Sequence, residues 1–250
     1  EFMKTTLRRS PSAASGSMDG VVKQAAQTTA DAQPAKMQGD VTVTGGGADT
    51  SMKLDALVDF NSGDLDGSLT ADVFGQTQDM KFRLVDGKTY VQMEMFGDKW
   101  IAAPTGTDLP ATSDPLAQLD SLKDVSDLQE VGTEDVNGVS ATHYTGTIDL
   151  AKALKASGLP DDQVEAAEKA LGKGGSSAKI DIWVDDSDRI VKVNQTLDMS
   201  VGDKGDASVT TSMTFSDFGT DVNVEAPDPA DVLDAGKLAN LSQGGQSPQG

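Results

Sequence analysis

Three consecutive stretches near the C-terminal end of the chain alternate between apolar and polar residues, and this alternation constrains the fold most. They span Ala178–Asp185, Arg189–Val201 and Ala207–Phe218. A period of two with one polar face is typical of antiparallel strands whose other face is buried. The segments between them, Asp186–Asp188 and Gly202–Gly205, have turn composition. The pattern therefore predicts a three-stranded antiparallel meander.

The same alternation recurs along the preceding chain, with turn residues between the segments. It predicts further strands at Met37–Thr44, Met52–Phe60, Leu65–Val73, Met80–Leu84, Val91–Met95, Lys99–Ala103, Leu128–Glu134 and Val139–Ile148. Helical spacing and capping residues predict helices at Gly20–Ala32, from Asp114, and at Leu150–Ser157, Asp161–Leu171 and Ala230–Leu238. A brief strand pairing is also expected at Val222–Val224. The predicted fold class is α+β, with one antiparallel sheet of roughly eleven strands.

The width of this sheet predicts that it is curved. About eleven strands at ~4.8 Å spacing make a sheet about 50 Å wide. The predicted helices Leu150–Ser157 and Asp161–Leu171 are only about 12 and 16 Å long. Because wide sheets twist and curl, we expect a half-barrel with the helices packed on its concave side. Such an arrangement is able to leave a gap between the sheet and the helices.

Composition excludes several classes of function. The formal net charge of −20 disfavours binding to nucleic acid and to anionic lipid surfaces. The chain has no cysteine, so it has no disulfide and no thiolate metal site. Glycine-rich segments such as Gly45–Gly47 lack the context of a phosphate-binding loop. The sequence therefore predicts no cofactor.

No residue pattern indicates catalysis or metal binding. His143 is the sole histidine, and the strand pattern places it on a polar row that faces solvent. A serine–histidine hydrolase is formally possible, but no serine has an elbow motif. The cluster Asp185, Asp186 and Asp188 lacks the glycine and glutamate of a calcium loop, so a solvated acidic turn is expected. The expectation is no catalytic residue and no metal site.

The apolar rows of successive strands supply the candidate binding residues. Methionine is common there, and its flexible, polarizable side chain suits surfaces that accept varied apolar shapes. Periodicity alone favours a filled core over a cavity. The polar Gln195 and Thr211 interrupt two of the rows, where they would either hold a head group or line a mouth, or else contact loop backbone. The candidate ligand-binding residues are Met52, Leu54, Val58, Leu69, Met80, Phe82, Met93, Val193, Leu197, Met199, Met213 and Phe215.

The ends of the chain are expected to lie outside the fold. Residues 1–19 have the appearance of a disordered leader left by cloning, because no apolar run follows the basic residues as it would in a signal peptide. Residues 20–238 are expected to form one half-barrel domain, and residues 239–250 a flexible tail rich in glycine, glutamine and serine.

Several short segments together resemble a known family. They are the leading helix with Thr28-Thr29, then Gly87-Lys88-Thr89-Tyr90-Val91 with Lys99-Trp100, Val136-Asn137-Gly138-Val139 with Thr142-His143-Tyr144, Ile182-Trp183-Val184-Asp185, and Asp217-Phe218-Gly219 before Pro227. Their order over about Gly20 to Leu238 resembles the LolA/LppX-like fold group, in particular the LppX/LprG family of actinobacterial envelope lipoproteins.

The resemblance implies both a fold and a function. It implies a half-barrel sheet around helices, with an apolar cavity that binds acyl chains of lipids or glycolipids. It also implies an extracytoplasmic location with a lipid anchor on an N-terminal cysteine, which this chain lacks. The family shares no catalytic residues. The alternative is an envelope sensor or regulator with the same fold, a collapsed cavity and a membrane protein partner.

Overall fold

The structure is a computed structural model. It describes residues 18–32, 34–45, 49–73, 76–94, 97–102, 119, 122–150, 152, 164–165, 177–200, 205–220 and 222–233.

One helix and twelve strands form the described part of the fold. The helix α1 spans Met18–Ala30, and short 3-10 turns span Leu122–Asp124 and Pro229–Asp231. The strands are β1 (Ala35–Gly45), β2 (Thr50–Val58), β3 (Leu65–Val73), β4 (Gln76–Val85), β5 (Lys88–Met93), β6 (Trp100–Ala102), β7 (Ser126–Val136), β8 (Val139–Asp149), β9 (Ser177–Asp185), β10 (Ile190–Ser200), β11 (Asp206–Ser216) and β12 (Val232–Leu233).

All twelve strands belong to one curved, unclosed sheet. Their order is β12-β6-β5-β4-β3-β2-β1-β11-β10-β9-β8-β7. The sheet therefore consists of two meanders, β1–β6 and β7–β11, which are joined where β1 pairs antiparallel with β11. The remaining pairings are also antiparallel, apart from the parallel pairing of β12 with β6. The predicted half-barrel is confirmed, with one strand more than expected.

Helix α1 packs on the concave face of the sheet, which we call the inner face. Its residues Val22, Ala25 and Ala26 are buried in the main core. Their spacing of three to four residues places them on one side of the helix. Thr29 is 0% exposed on the same side. Its hydroxyl donates to the carbonyl oxygen of Ala25 at 2.7 Å and accepts from the Ile190 N–H at 2.8 Å.

Strand register separates the side chains of the two faces. Along β1, for example, Met37 and Val41 lie on the inner face, while Lys36 and Asp40 lie on the outer, convex face. In the described strands β1–β5 and β8–β11, every charged side chain occupies an outer-face position. The inner face is therefore uncharged over these nine strands, which fits burial of apolar material against it.

Sequence periodicity missed the last pairing. The helix predicted at Ala230–Leu238 is wrong over its first residues, because Pro229–Asp231 forms a 3-10 turn and Val232–Leu233 pairs with Trp100 and Ile101. Lys99 stabilises this turn by donating to the Asp231 carboxylate at 2.6 Å. The segment is short and its partner is distant in sequence, so no periodicity marks it. The pairing expected at Val222–Val224 is also absent from the described sheet.

Other helix predictions fall largely outside the described residues. The backbone is helical at five described residues of these segments, in agreement with the predictions there: Leu119, Leu150, Lys152, Val164 and Glu165. The rest of the helices from Asp114, at Leu150–Ser157 and at Asp161–Leu171 lie outside the described residues. Helix α1 begins at Met18, two residues before the predicted start.

We expect Thr29→Val to lower the free energy of unfolding by about 1–3 kcal/mol, because it leaves a buried N–H donor without a hydrogen-bond acceptor. Valine keeps the shape of threonine but cannot accept from the Ile190 N–H, which is buried beneath α1. Urea unfolding followed by circular dichroism measures the change.

The adjacent Thr28→Val is the matched control, because Thr28 is half-buried and its side chain makes no hydrogen bond in the described structure. It should change the free energy of unfolding by less than about 0.5 kcal/mol. Equal effects of the two substitutions would contradict the role assigned to the Thr29 hydroxyl.

Candidate functional site

The inner faces of neighbouring strands meet in rows that run across the sheet. One of them, which we call the central row, crosses eight strands through directly paired residues. The row crosses β5, β4, β3, β2, β1, β11, β10 and β9 in that order. Its members are, in the same order, Met93, Met80, Leu69, Leu54, Gly39, Met213, Val193 and Ile182. The central row is uncharged, and all its members except Gly39 carry apolar side chains.

Burial changes along the central row. Val193 and Met213 are each 6% exposed. On the other side of Gly39, the side chains of Leu54, Leu69, Met80 and Met93 are only half-buried. The row is therefore tightly packed at β9–β11 and incompletely covered over β2–β5. This second part, Leu54, Leu69, Met80 and Met93, is called the open half of the row below.

A small cavity lies beside the packed half of the row. Its volume is ≈ 30 Å³, and its lining residues are Leu119, Leu122, Ile180, Val193, Gln195, Thr211, Met213 and Phe215. Gln195 pairs in register with Thr211 on one side and with Ile180 on the other. Leu122 belongs to a 3-10 turn that contacts α1. The cavity is apolar except for the Gln195 and Thr211 side chains.

A larger hollow lies at the far ends of β1, β10 and β11. Its volume is ≈ 430 Å³, and its lining residues are Thr44, Gly45, Asp198, Met199, Asp206, Ala207 and Ser208. Met199 and Ala207 lie on the inner face, while Asp198 and Asp206 lie on the outer face. The hollow is thus mixed in polarity and sits at the rim of the sheet. Leu197 is half-buried between this hollow and the small cavity.

The structure places all twelve predicted binding residues on the inner face, but in three different environments. Val58, Phe82, Val193, Met213 and Phe215 are buried in the core. Leu54, Leu69, Met80, Met93, Leu197 and Met199 are half-buried, and Met52 is 37% exposed. Three of the twelve, Val193, Met213 and Phe215, line the small cavity. Whether these residues bind a ligand stays a prediction.

Two of the buried candidates have clear packing roles. Phe82 lies across Gly67, where an added Cβ would come within 2.8 Å of its Cζ atom and 2.6 Å of the Asp55 carbonyl oxygen. The Phe215 ring contacts the Phe60 ring, with 5.9 Å between centroids. These contacts identify Phe82 and Phe215 as core residues of the covered part of the inner face.

Five residues of the small cavity are not among the twelve candidates: Gln195 and Thr211, which interrupt the apolar rows, and Ile180, Leu119 and Leu122. Ile180 lies on the apolar face of the predicted meander, and Leu119 and Leu122 belong to the apolar stripe predicted after Asp114. Their residue types and spacing were the available signals. Which strand pair they would meet depends on tertiary packing, so the sequence did not bring them to Gln195 and Thr211.

His143 lies on the outer face, as predicted, but the expectation that it faces solvent is wrong. Its ring stacks on Trp183, with 4.3 Å between centroids and an interplanar angle of 11°. Its Nδ1 lies 3.0 Å from Glu134 Oε1 and its Nε2 lies 2.9 Å from Asp181 Oδ1. Lys192 Nζ lies 4.6 Å from the centroid of the Trp183 ring. These five residues form the outer network.

The outer network links side chains of the four neighbouring strands β7, β8, β9 and β10. Both imidazole nitrogens of His143 contact carboxylate oxygens, so neither is left to activate a serine hydroxyl. A neutral imidazole has one N–H, so both contacts are hydrogen bonds only when the ring is protonated. Trp183 Nε1–H donates to Glu134 Oε2 at 2.9 Å, which completes the link between β7, β8 and β9.

The acidic turn between β9 and β10 is structural. Asp185 is buried, and its carboxylate accepts from the Ser187 and Arg189 backbone N–H groups and from the Arg189 guanidinium. The expectation of a solvated turn is therefore wrong for Asp185, although Asp186 and Asp188 are exposed. Within the described ranges, no three histidine or acidic side chains are placed to hold a metal ion.

Comparison with known proteins identifies the family. The family model of the LppX_LprAFG lipoproteins matches residues 17–224. The chain belongs to this lipoprotein family. A Streptomyces griseus protein described as an uncharacterized 31.2 kDa protein in the rplA-rplJ intergenic region is 31% identical over 259 residues, which cover 91% of this chain and 81% of that protein.

Solved structures of two mycobacterial lipoproteins share the fold. LppX of Mycobacterium tuberculosis is 22% identical with a TM-score of 0.53, over 83% of this chain and 97% of LppX. LprF from Mycobacterium bovis is 16% identical with a TM-score of 0.56, over 84% of this chain and 96% of LprF. Among the described helices of the present chain, none combines the length and hydrophobicity required to cross a membrane.

We expect His143→Ala to lower the free energy of unfolding by about 1 kcal/mol or more. The substitution removes an aromatic stack, which contributes about 0.5–1.5 kcal/mol, and it leaves Asp181 without its imidazole partner. Thermal and urea unfolding measure the change. Thr133→Ala, an exposed substitution on the neighbouring β7, should change the free energy by less than about 0.5 kcal/mol; an equally small effect of His143→Ala would contradict the packing role.

The pH dependence of stability should report the outer network. Hydrogen bonding from Trp183, and then from His143, lowers the pKa of Glu134 below its ordinary value of 4.5, although desolvation opposes this shift. A carboxylate whose pKa is lowered by folding stabilises the fold above its unfolded pKa, and this contribution is lost as pH falls through the folded pKa. The free energy of unfolding should therefore decrease below about pH 4.5.

Two variants isolate that contribution. Glu134→Gln removes the titrating group, and Trp183→Phe removes its first hydrogen-bond donor while keeping an aromatic ring against His143. Both should show a shallower loss of stability than the wild type between about pH 5 and pH 3, measured by urea unfolding. A wild-type slope in both variants would rule out Glu134 as the source.

Proposed function

We propose that this protein binds the acyl chain of a lipid or glycolipid against the inner face of its sheet and carries it in the cell envelope. The observation that supports this most is the open half of the central row, where Leu54, Leu69, Met80 and Met93 are incompletely covered. The row joins directly to the packed residues Met213 and Val193. Membership of a lipoprotein family and the implied binding of acyl chains point the same way.

The dimensions of the central row suit an extended hydrocarbon chain. Five strand spacings separate Met213 on β11 from Met93 on β5, which is about 24 Å at ~4.8 Å per strand. A chain lying across these strands meets only apolar side chains and Gly39. Its burial contributes ~0.8 kcal/mol per methylene, so affinity needs little polar recognition. The methionines of the row adapt to chains of different shape.

The proposed function is binding rather than catalysis. His143 has both nitrogens engaged with Glu134 and Asp181, and it lies on the outer face, away from the central row. The charge of −20 argues against nucleic acid as a partner. The proposal includes an extracytoplasmic location with a lipid anchor to the membrane, as the lipoprotein family implies.

We expect Leu69→Trp to abolish uptake of a fluorescent fatty-acyl probe while leaving the thermal midpoint nearly unchanged. Leu69 lies in the middle of the open half of the row and is half-buried, so an indole there would occupy the space of the chain. Probe titration and thermal unfolding are measured on the same preparation. If the site is instead filled core, the substitution should overpack it and cost ~1–3 kcal/mol.

Ser68→Trp is the matched control, because Ser68 is exposed on the outer face one residue away. It should retain wild-type uptake. Equal uptake by the wild type and a stably folded Leu69→Trp variant, or no uptake by the wild type, would count against the proposal.

One observation favours a second function. The cavity at Gln195 and Thr211 has a volume of only ≈ 30 Å³, far below the roughly 300–1,000 Å³ of typical small-molecule sites. This size suits the alternative of an envelope sensor or regulator that acts through a membrane protein partner and carries no lipid. Native mass spectrometry of the protein purified from its own host separates the two, because a carrier should retain a lipid-sized mass.

A further inference from the structure

Two polar side chains interrupt the otherwise apolar inner face, and they face each other. Gln195 on β10 and Thr211 on β11 are directly paired in register, and both line the small cavity. Both are half-buried. In the part of the chain that the structure describes, neither side chain makes a hydrogen bond.

The polar atoms of both side chains remain in contact with solvent. A ligand that covered them would remove this hydration at a cost, unless it supplied hydrogen bonds in return. Gln195 offers an amide N–H donor and a carbonyl acceptor, and Thr211 offers a hydroxyl. Together they are able to bind one compact polar group that enters the cavity from the central row.

The charges around the cavity define which polar group fits. The inner positions of β1–β5 and β8–β11 carry no charged side chain, so no lysine or arginine of these strands reaches the cavity. A carboxylate or phosphate there would be desolvated without a countercharge from these strands, which is costly. An ester or amide carbonyl is neutral and accepts from both the Gln195 amide and the Thr211 hydroxyl.

We propose that Gln195 and Thr211 bind the neutral ester or amide linkage of the lipid, and so select acylated lipids over free fatty acids. This inference rests on the proposed function. The linkage would lie at the β10–β11 end of the central row, next to Val193 and Met213. The hydrocarbon would extend over Gly39 towards the open half of the row, Leu54, Leu69, Met80 and Met93.

Three probes with one fluorophore test this assignment: pyrenedecanoic acid, its methyl ester, and dodecylpyrene, which has no polar group. At a pH where the acid is ionised, the wild type should bind the ester more tightly than the acid. Gln195→Leu and Thr211→Val should each weaken ester binding by about twofold to tenfold, the range for one neutral hydrogen bond. Neither should weaken binding of dodecylpyrene.

Matched controls keep the comparison specific. Thr210→Val is the control for Thr211→Val, because Thr210 is the adjacent residue on β11 and is exposed on the outer face. Gln92→Leu is the control for Gln195→Leu, because Gln92 is a glutamine on the outer face of β5. Both controls should bind all three probes like the wild type. Thermal unfolding of each variant verifies its fold, and the two apolar replacements in the cavity should be at least as stable as the wild type.

The outcomes separate this inference from the function on which it rests. Suppose that Gln195→Leu and Thr211→Val bind both dodecylpyrene and the ester as tightly as the wild type does. This result would overturn the role of the polar pair and leave the proposal of lipid binding intact. Tighter binding of the ionised acid than of the ester would also overturn it. Failure of the wild type to bind any of the three probes would overturn the proposed function itself, and this inference with it.

Discussion

The pairing of β1 with β11 is the interaction on which the rest of the structure depends. It runs from Lys36 opposite Ser216 to Gly45 opposite Ala207, and it joins two meanders that are otherwise built from sequence neighbours. Without it, β1–β6 and β7–β11 would be separate sheets, each with an exposed edge at that position. Among the pairings of the described sheet it closes the longest loop of chain, and the entropy cost of closure grows slowly with loop length. The central row exists only because of it, since Gly39 and Met213 meet across this pair.

Helix α1 then decides which part of the inner face is filled. Its side chains Val22, Ala25 and Ala26 enter the main core, and the Thr29 hydroxyl satisfies the backbone at Ile190. Together with Leu119 and Leu122, α1 belongs to the cluster in which Ile182, Val193 and Met213 are buried. Leu54, Leu69, Met80 and Met93 retain exposure. One well-anchored helix thus fixes a core at one end of a row and leaves apolar surface at the other. A binding protein needs this combination, because stability and ligand space compete for the same face.

The two faces use opposite chemistry. Over β1–β5 and β8–β11 the charged side chains lie on the outer face. Three aromatic rings contact cations: Arg83 lies over Trp100, Lys192 over Trp183, and Arg189 over Phe218. Trp100 and Trp183 are buried outside the main core, whereas Phe218 is half-buried and packs against it. On the inner face, burial raises the pKa of Tyr144, as expected where water is excluded and the charged phenolate is disfavoured. The formal net charge of −20 of the chain is thus compatible with an apolar site on the inner face.

The sequence by itself determined the strands, their faces and the curved half-barrel. A period of two assigns each residue to one side of a sheet, so Met52, Leu69, Met80, Met93, Leu197 and the other candidates were placed on the inner face before any tertiary information. The short motifs around Trp183 and Phe218 indicated the family, which the family model matches over residues 17–224.

The tertiary structure alone decided which of those residues are covered and which meet. Periodicity carries no information about the identity of a neighbouring strand, so it did not predict the pairing of β12 with β6 or the approach of Leu119 and Leu122 to Gln195. It placed His143 on the outer face and therefore in water, whereas stacking on Trp183 and two carboxylates cover most of its side chain, which is 13% exposed. Burial is a property of the packed chain, since it depends on residues brought together from distant positions.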